Sequence, residues 1–142
     1  MTLNLNSLTD KKCDPNLLSP LTLAFIGDTV FDLFVREMLI AEANRPANKL
    51  HKLAVERVCA KAQASAAKAL CESGFLSDAE IAVLKRGRNA HSRHTPKNAT
   101  EGDYHLATGL ETLFGFLYLS EKQERLQEIF SQICLIFDES RA

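Results

Sequence analysis

The stretch from Ser19 to Glu42, which decides the fold, reads SPLTLAFIGDTVFDLFVREMLIAE. A serine followed by a proline is typical of a helix N-cap and its first helical position, so we expect a helix from residue 20 to about residue 43. Apolar side chains occupy all faces of this helix and leave no polar stripe. This pattern is typical of a central helix that its neighbours bury, and it favours an all-α domain.

Hydrophobic periodicity and capping residues predict four more helices, over residues 47–72, 78–85, 103–119 and 121–137. A loop is expected from residue 87 to residue 102, where apolar periodicity fails. Three glycines inside the helices, Gly27, Gly109 and Gly115, indicate close helix crossings. No segment alternates as a strand does. We therefore expect one all-α helical bundle over residues 17–142, preceded by an N-terminal extension over residues 1–16.

The composition is that of an ordinary globular domain, with 46% hydrophobic and 25% charged residues in a chain of 142. A net charge of -1 excludes a protein that is basic throughout, so any nucleic-acid surface must be local. The four cysteines form no C-x-x-C pair, and no apolar run is long enough for a signal peptide or a membrane span. These features predict a cytoplasmic protein with reduced thiols.

Three carboxylates interrupt the most apolar helices. Asp28 and Asp32 are the only charged residues between positions 15 and 35, and Glu111 is the only one between positions 104 and 120. A carboxylate in apolar surroundings is costly unless it is paired, hydrogen-bonded or bound to a cation. A magnesium site formed by Asp28 and Glu111 would meet that requirement. Helix capping or buried hydrogen bonding remains the alternative, and Asp32 is the weaker candidate.

A basic segment spans residues 85–98 and reads KRGRNAHSRHTPKN, without an acidic residue. Such a segment is typical of phosphate binding, although a solvated loop is the alternative. It contains no aromatic side chain for base stacking, so duplex RNA is favoured over single strands. The expected RNA-binding residues are Lys85, Arg86, Arg88, Arg93 and Lys97. Phosphate binding is the favoured role for His91 and His94, with a metal-binding pair as the alternative, whereas His51 and His105 give no functional signal.

Several of these motifs together resemble the Mini-ribonuclease III family, short ribonuclease III-like enzymes without a double-stranded-RNA-binding domain. The resemblance covers nearly the whole chain. It is carried by AFIGD at residues 24–28 with Asp32 after it, LHK at 50–52, VLKRGRNA at 83–90, TPKN at 95–98, and ATGLETLFGFLYL at 107–119. The KRGRN block and the GLE helix are specific in combination.

The resemblance implies that Asp28 and Glu111 are catalytic and bind Mg²⁺. Ala24 and Thr108 stand where longer ribonuclease III enzymes have acidic residues, and both replacements look typical of the Mini-III branch. They leave the number of metal ions open. Asp32, Thr108 and Asn89 are candidates for an accessory role.

The resemblance further implies a homodimer that cuts double-stranded regions of structured RNA and leaves 5′ phosphates, with precursor 23S ribosomal RNA as its substrate. Two related sites would cut the two strands of a duplex, most simply in a C₂ dimer. The alternative is a non-catalytic RNA-binding or ribosome-associated protein on the same fold.

Overall fold

Six α-helices and one short 3-10 turn form the part of the chain described by the structure, a computed structural model covering residues 13–90 and 100–141. The turn is Pro15–Leu17, and the helices are α1 Pro20–Glu42, α2 Ala47–Val58, α3 Ala60–Ser73, α4 Asp78–Arg88, α5 Glu101–Leu119 and α6 Gln123–Arg141. Within these ranges there is no strand, which confirms the all-α class. None of the helices found there is long and apolar enough to cross a membrane.

Helix α1 begins where the Ser-Pro pair predicts. The Ser19 hydroxyl accepts a hydrogen bond from the Thr22 amide at 3.3 Å, and Pro20 is the first helical residue. One side of the helix is buried, but Phe25 and Ile40 on the other side are 81% and 67% exposed. The expectation of a helix buried on every face is therefore wrong for this single chain.

The core lies around α5, which packs against α1, α3, α4 and α6. Phe31 of α1 contacts Phe114 of α5 edge-on, with 5.2 Å between ring centroids, and Phe34 stacks on Phe130 of α6 at 5.1 Å. Aromatic pairs in these arrangements contribute about 0.5–1.5 kcal/mol each beyond the burial of their surface. The four rings hold α1 against its two partners.

The helix expected over residues 47–72 is divided in two. Cys59 has an extended backbone, with φ -66° and ψ 154°, and separates α2 from α3. The buried Gln63 side chain stabilises the bend, because its Nε2 donates to the Val58 carbonyl at 3.1 Å. No proline or glycine marks this break in the sequence, which is why periodicity alone missed it.

Helix α4 has the predicted start and a later end. Ser77 and Glu80 form the expected capping box, with reciprocal hydrogen bonds of 2.9 and 3.2 Å. The helix continues to Arg88 rather than ending at residue 85. The first residues of the basic segment are thus helical.

The boundary between α5 and α6 also differs from the expectation. Helix α5 begins at Glu101, two residues early, and ends with Ser120 as its C-cap. Glu121 has a φ of 60°, in the left-handed region, and α6 begins only at Gln123. The second predicted capping box is therefore wrong, since Ser120 ends one helix instead of starting the next.

Candidate active site

Helices α1 and α5 cross at backbone contact. A Cβ added to Gly27 would overlap the carbonyl oxygen of Glu111, and one added to Gly115 would overlap the carbonyl oxygen of Leu23. The expected role of these glycines at a helix crossing is confirmed. Because Gly27 precedes Asp28 in the chain, the crossing brings Asp28 next to Glu111.

The side chains of Asp28 and Glu111 form a hydrogen-bonded carboxyl pair. Burial, the hydrogen bond that Glu111 donates to Asp28 and the negative charge of Asp28 together raise the pKa of Glu111 to about 9. Two carboxyl groups this close cannot both ionise easily. The raised pKa favours the protonated form of Glu111, which donates a hydrogen bond to the Asp28 carboxylate.

The surroundings of the two carboxyls are unequal. Glu111 is partly buried between the helices, as expected for a carboxylate in an apolar helix, but Asp28 is exposed. The expectation of a desolvated Asp28 is wrong because its side of α1 borders an open groove. This groove, of about 280 Å³, lies between α1 and α2 and also contains Asp32 and His51.

Asp32 shares this groove but already has a partner. Its Oδ2 accepts a hydrogen bond of 2.9 Å from Nε of Arg36, one turn further along α1. Both side chains are partly exposed, at 36% and 55%, so this ion pair adds little stability. Asp32 thus has a cationic partner, whereas the partner of Asp28 at the groove is the Glu111 carboxyl.

Two other accessory candidates have local hydrogen bonds. Thr108 is buried, and its hydroxyl donates to the Tyr104 carbonyl at 2.9 Å within α5. Asn89 is the exposed C-cap of α4, and its Oδ1 accepts from Nε of Arg88 at 3.2 Å. Neither side chain is part of the carboxyl pair.

The basic residues Lys85, Arg86 and Arg88 lie in the last turn of α4, although the sequence predicts Arg88 in the loop that follows residue 86. Lys85 and Arg86 are exposed. Cations also suit this position for a purely structural reason, since they face the negative end of the helix dipole. Arg93 and Lys97, together with His91 and His94, lie outside the described residues.

The basic end of α4 is packed closely on α5. A Cβ added to Gly87 would overlap the side chain of Thr112, and one added to Gly109 would lie 2.7 Å from the Leu84 carbonyl oxygen. Gly109 and Thr112 flank Glu111 in the sequence of α5. The cations of α4 are therefore carried by a helix that contacts α5 on both sides of Glu111.

The donor set at the carboxyl pair suits a hydrated divalent cation. Among residues 13–90 and 100–141, no group of three or more His, Cys, Asp or Glu side chains is arranged to hold a metal ion. Mg²⁺ does not require such a group, since it keeps several waters and commonly binds through one or two carboxylates and substrate phosphates. Asp28 and Glu111 fit this description, provided that Glu111 releases its proton.

Comparisons with known proteins agree with one another. Residues 21–122 match the Ribonuclease III domain. The chain is 47% identical over 125 residues to the Mini-ribonuclease 3 of Brevibacillus brevis, covering 88% of this chain and 92% of the relative. It is 44% identical over 122 residues to that of a Thermoanaerobacter species, covering 86% and 84%.

The fold also matches a solved structure. A crystal structure of a Fusobacterium nucleatum protein superposes with a TM-score of 0.75 at 28% identity, covering 89% of this chain and 98% of that one. Together with the domain match and the identities above, this likeness shows that the chain belongs to the ribonuclease III family of endoribonucleases, within its Mini-ribonuclease III branch.

Proposed function

We propose that this protein is a Mg²⁺-dependent endoribonuclease that cleaves double-stranded regions of structured RNA as a homodimer. The carboxyl pair of Asp28 and Glu111 carries the proposal. It joins the two helices that pack most closely, and burial raises the pKa of Glu111 to about 9. A non-catalytic RNA-binding protein would have no need for a carboxyl pair held in this way.

Asp28 and Glu111 supply the oxygen ligands for the cation. A bound Mg²⁺ would stabilise the charge that develops on the scissile phosphate and would lower the pKa of a water molecule. Glu111 would have to release its proton for the cation to bind, so a cation would replace the proton that Glu111 shares with Asp28. The backbone contact at Gly27 holds the two side chains in place for this exchange.

The reaction is hydrolysis of a phosphodiester bond. The oxygen of a water molecule forms a bond to phosphorus, and the bond between phosphorus and the 3′ oxygen breaks. The attacking water loses a proton, the leaving 3′ oxygen gains one, and the phosphate stays on the 5′ oxygen of the next nucleotide. Asp28 and Glu111 orient the phosphate relative to the attacking water, which lowers the entropic part of the barrier.

Duplex RNA is the substrate that best suits the charged surface. Lys85 and Arg86 are exposed on a helix that contacts α5 around Glu111, so we expect them to bind phosphates near the cleaved bond. Contacts of this kind recognise the shape and charge of the duplex rather than its bases. We expect Arg88, Arg93 and Lys97 to extend this surface.

The exposed apolar side of α1 supports a homodimer. Leu21 and Phe25 lie one turn apart and are 40% and 81% exposed, and Leu17 precedes them at 83%. Phe25 lies one turn before Asp28, so a second copy docked on this side would bring two carboxyl pairs near each other. Two sites related by a C₂ axis would then cut the two strands.

The natural substrate and location are inferred from family membership. We propose that the protein matures the 23S ribosomal RNA precursor in the cytoplasm, and that residues 17–142 form the catalytic domain behind an N-terminal extension. Mapping the cut sites on precursor RNA from cells with and without the protein would test the substrate. A precursor that is processed identically in both would contradict it.

The activity itself is tested with purified protein and three labelled nucleic acids. A duplex RNA, a single-stranded RNA and a duplex DNA are each incubated with Mg²⁺ and, separately, with EDTA. We expect cleavage of duplex RNA alone, only with Mg²⁺, and with 5′ phosphates on the products. Equal cleavage in EDTA would contradict the proposed role of the carboxyl pair.

A further inference from the structure

The groove between α1 and α2 begins at the carboxyl pair and extends away from it. It has a volume of about 280 Å³, and its lining includes Asp28, Asp32 and Arg36 of α1 and His51, Val55 and Val58 of α2. The carboxyl pair uses only Asp28 among these residues. The remaining lining has no role in the proposed hydrolysis so far.

The two helices fix where each side chain lies along the groove. Only residues 43–46 connect α1 and α2, and such a short connection makes neighbouring helices antiparallel. Arg36 follows Asp28 by eight residues, or about 12 Å along the helix. His51 lies near the start of α2 and therefore near Arg36, whereas Val58 lies near Asp28.

The far end of the groove is rich in hydrogen-bond donors. Arg36 uses its Nε to bind Asp32, which leaves four of the five N–H groups of a guanidinium for other acceptors. The His51 side chain is exposed, and an imidazole can donate to an oxygen in either protonation state. The Asp32 carboxylate is neutralised by Arg36, so it does not repel an incoming anion strongly.

The middle of the groove is apolar and contains no aromatic ring. Ala54, Val55 and Val58 form this part of its wall. Proteins that bind single strands typically stack the bases on large aromatic side chains, and this lining contains no Phe, Tyr or Trp. Aliphatic side chains between a carboxylate and a pair of donors instead suit the carbon atoms of a ribose, flanked by its phosphates.

We propose that this groove binds the sugar–phosphate backbone of the RNA strand next to the cleaved bond, with His51 and Arg36 as its donors. The proposal rests on the proposed function, since it takes Asp28 as one end of the path of the strand. A distance of about 12 Å corresponds to a few nucleotides along a duplex. His51 and Arg36 thus position the strand, and they do not touch the reacting phosphate.

The test compares His51→Ala and Arg36→Ala with Lys52→Ala, an exposed neighbour of His51 that does not line the groove. Binding of a fluorescein-labelled RNA duplex is measured in EDTA over a series of salt concentrations. We expect each groove variant to lose up to about tenfold in affinity, as for one hydrogen bond, and the control to bind as the wild type does. The KM for cleavage should rise by the same factor, while kcat is retained.

The salt series distinguishes a contact to an RNA phosphate from a contact to a ribose. If the lost contact is to a phosphate, the slope of log affinity against log salt falls by about 1. If it is to a ribose 2′-hydroxyl, the slope is unchanged, and a 2′-deoxy strand abolishes the difference between variant and wild type. Either result supports backbone binding in the groove.

Three results would overturn the proposal. The first is that both groove variants keep the affinity and the KM of the unmodified protein. If the unmodified protein cleaves duplex RNA, this result contradicts the groove proposal and leaves the proposed function intact. The second is an altered sedimentation coefficient in the variants, because the groove would then be covered by a second copy. The third is an equal loss in Lys52→Ala. If the wild type cleaves no duplex, the proposed function fails, and the affinities alone then decide on the groove.

Discussion

Gly27 of α1 lies directly against the carbonyl oxygen of Glu111 in α5, with no room for a side chain between them. The residue after Gly27 is Asp28, whose carboxyl is hydrogen-bonded to that of Glu111. The distance between the two carboxyls is therefore set by a backbone contact at the helix crossing. A change at Gly27, which has no functional group, should affect the site.

We expect Gly27→Ala to reduce both stability and cleavage. The new Cβ must push α1 away from α5, and overpacking of this kind costs about 1–3 kcal/mol, more than the ~1 kcal/mol that alanine gains over glycine in a helix. Gly102→Ala in the first turn of α5 is the control, since a Cβ there meets nothing within 4 Å. The melting temperature and the cleavage rate should be lowered in Gly27→Ala and not in Gly102→Ala. Equal stability of the two variants would contradict the crossing geometry.

Asp28→Asn and Glu111→Gln should each abolish cleavage and leave duplex binding intact. Both changes preserve side-chain volume and remove the charge that holds the cation. Cleavage with Mg²⁺ and RNA affinity in EDTA are the two measurements. The matched control is Asp138→Asn, because Asp138 is an exposed carboxylate of α6 and belongs neither to the carboxyl pair nor to the groove. Near-normal turnover in either site variant would remove that residue from the mechanism.

The raised pKa of Glu111 predicts a pH-dependent stability without metal. Since this pKa rises from 4.5 to about 9 on folding, the folded state binds more protons than the unfolded state between these values. The wild type should therefore lose stability as the pH rises from about 5 to 9. Glu111→Gln removes this loss, so its melting temperature in EDTA should exceed that of the wild type by several degrees at pH 8 and by much less at pH 5. Parallel melting profiles would show that Glu111 is ionised without metal.

Much of the fold follows from local sequence. Ser19 and Pro20 mark the start of α1, Ser77 and Glu80 mark that of α4, and the spacing of apolar residues separates the long helices. These signals are local because capping uses hydrogen bonds within one turn. The pairing of Asp28 with Glu111 could also be anticipated, since carboxylates within apolar helices need a partner.

The failed expectations depend on contacts distant in sequence or beyond the chain. The bend at Cys59 relies on the buried Gln63 side chain, which no local pattern reveals. Hydrophobic periodicity does not predict the exposure of Phe25. It identifies an apolar face, but it does not show whether the same chain or another chain covers that face. The groove beside Asp28 likewise requires the packing of α2 on α1, so His51 carried no signal.

Phe25→Glu should convert a dimer into a monomer. A charge on the exposed apolar side of α1 must be desolvated when a second copy docks. The free-energy cost of this desolvation exceeds the free energy gained from the apolar contact. Leu135→Glu on α6 is the control, because Leu135 is also exposed, at 55%, but belongs to another helix. Sedimentation velocity should show a smaller species only for Phe25→Glu. A wild-type monomer that makes double-strand cuts would contradict the dimer.

The last prediction concerns the basic end of α4. Replacing Lys85 and Arg86 with alanine should weaken binding to all RNA duplexes about equally and reduce the slope of log affinity against log salt by about 1 for each lost phosphate contact. Lys122→Ala is the control, since Lys122 lies beyond the C-terminal end of α5 and is exposed. At saturating RNA the variant should keep most of its turnover, because contacts made equally in the ground and transition states change KM rather than kcat.

Helix α4 touches α5 on both sides of Glu111, so a second result is informative for the same variant. If turnover fell as far as in Glu111→Gln while affinity and salt slope stayed at wild-type values, the cations would act on the scissile phosphate itself. The separation between a binding helix end and a catalytic carboxyl pair would then be wrong. If instead affinity and salt slope fell while turnover was retained, Lys85 and Arg86 would supply affinity through phosphates alone. Their exposed positions on the last turn of α4 lead us to expect this result.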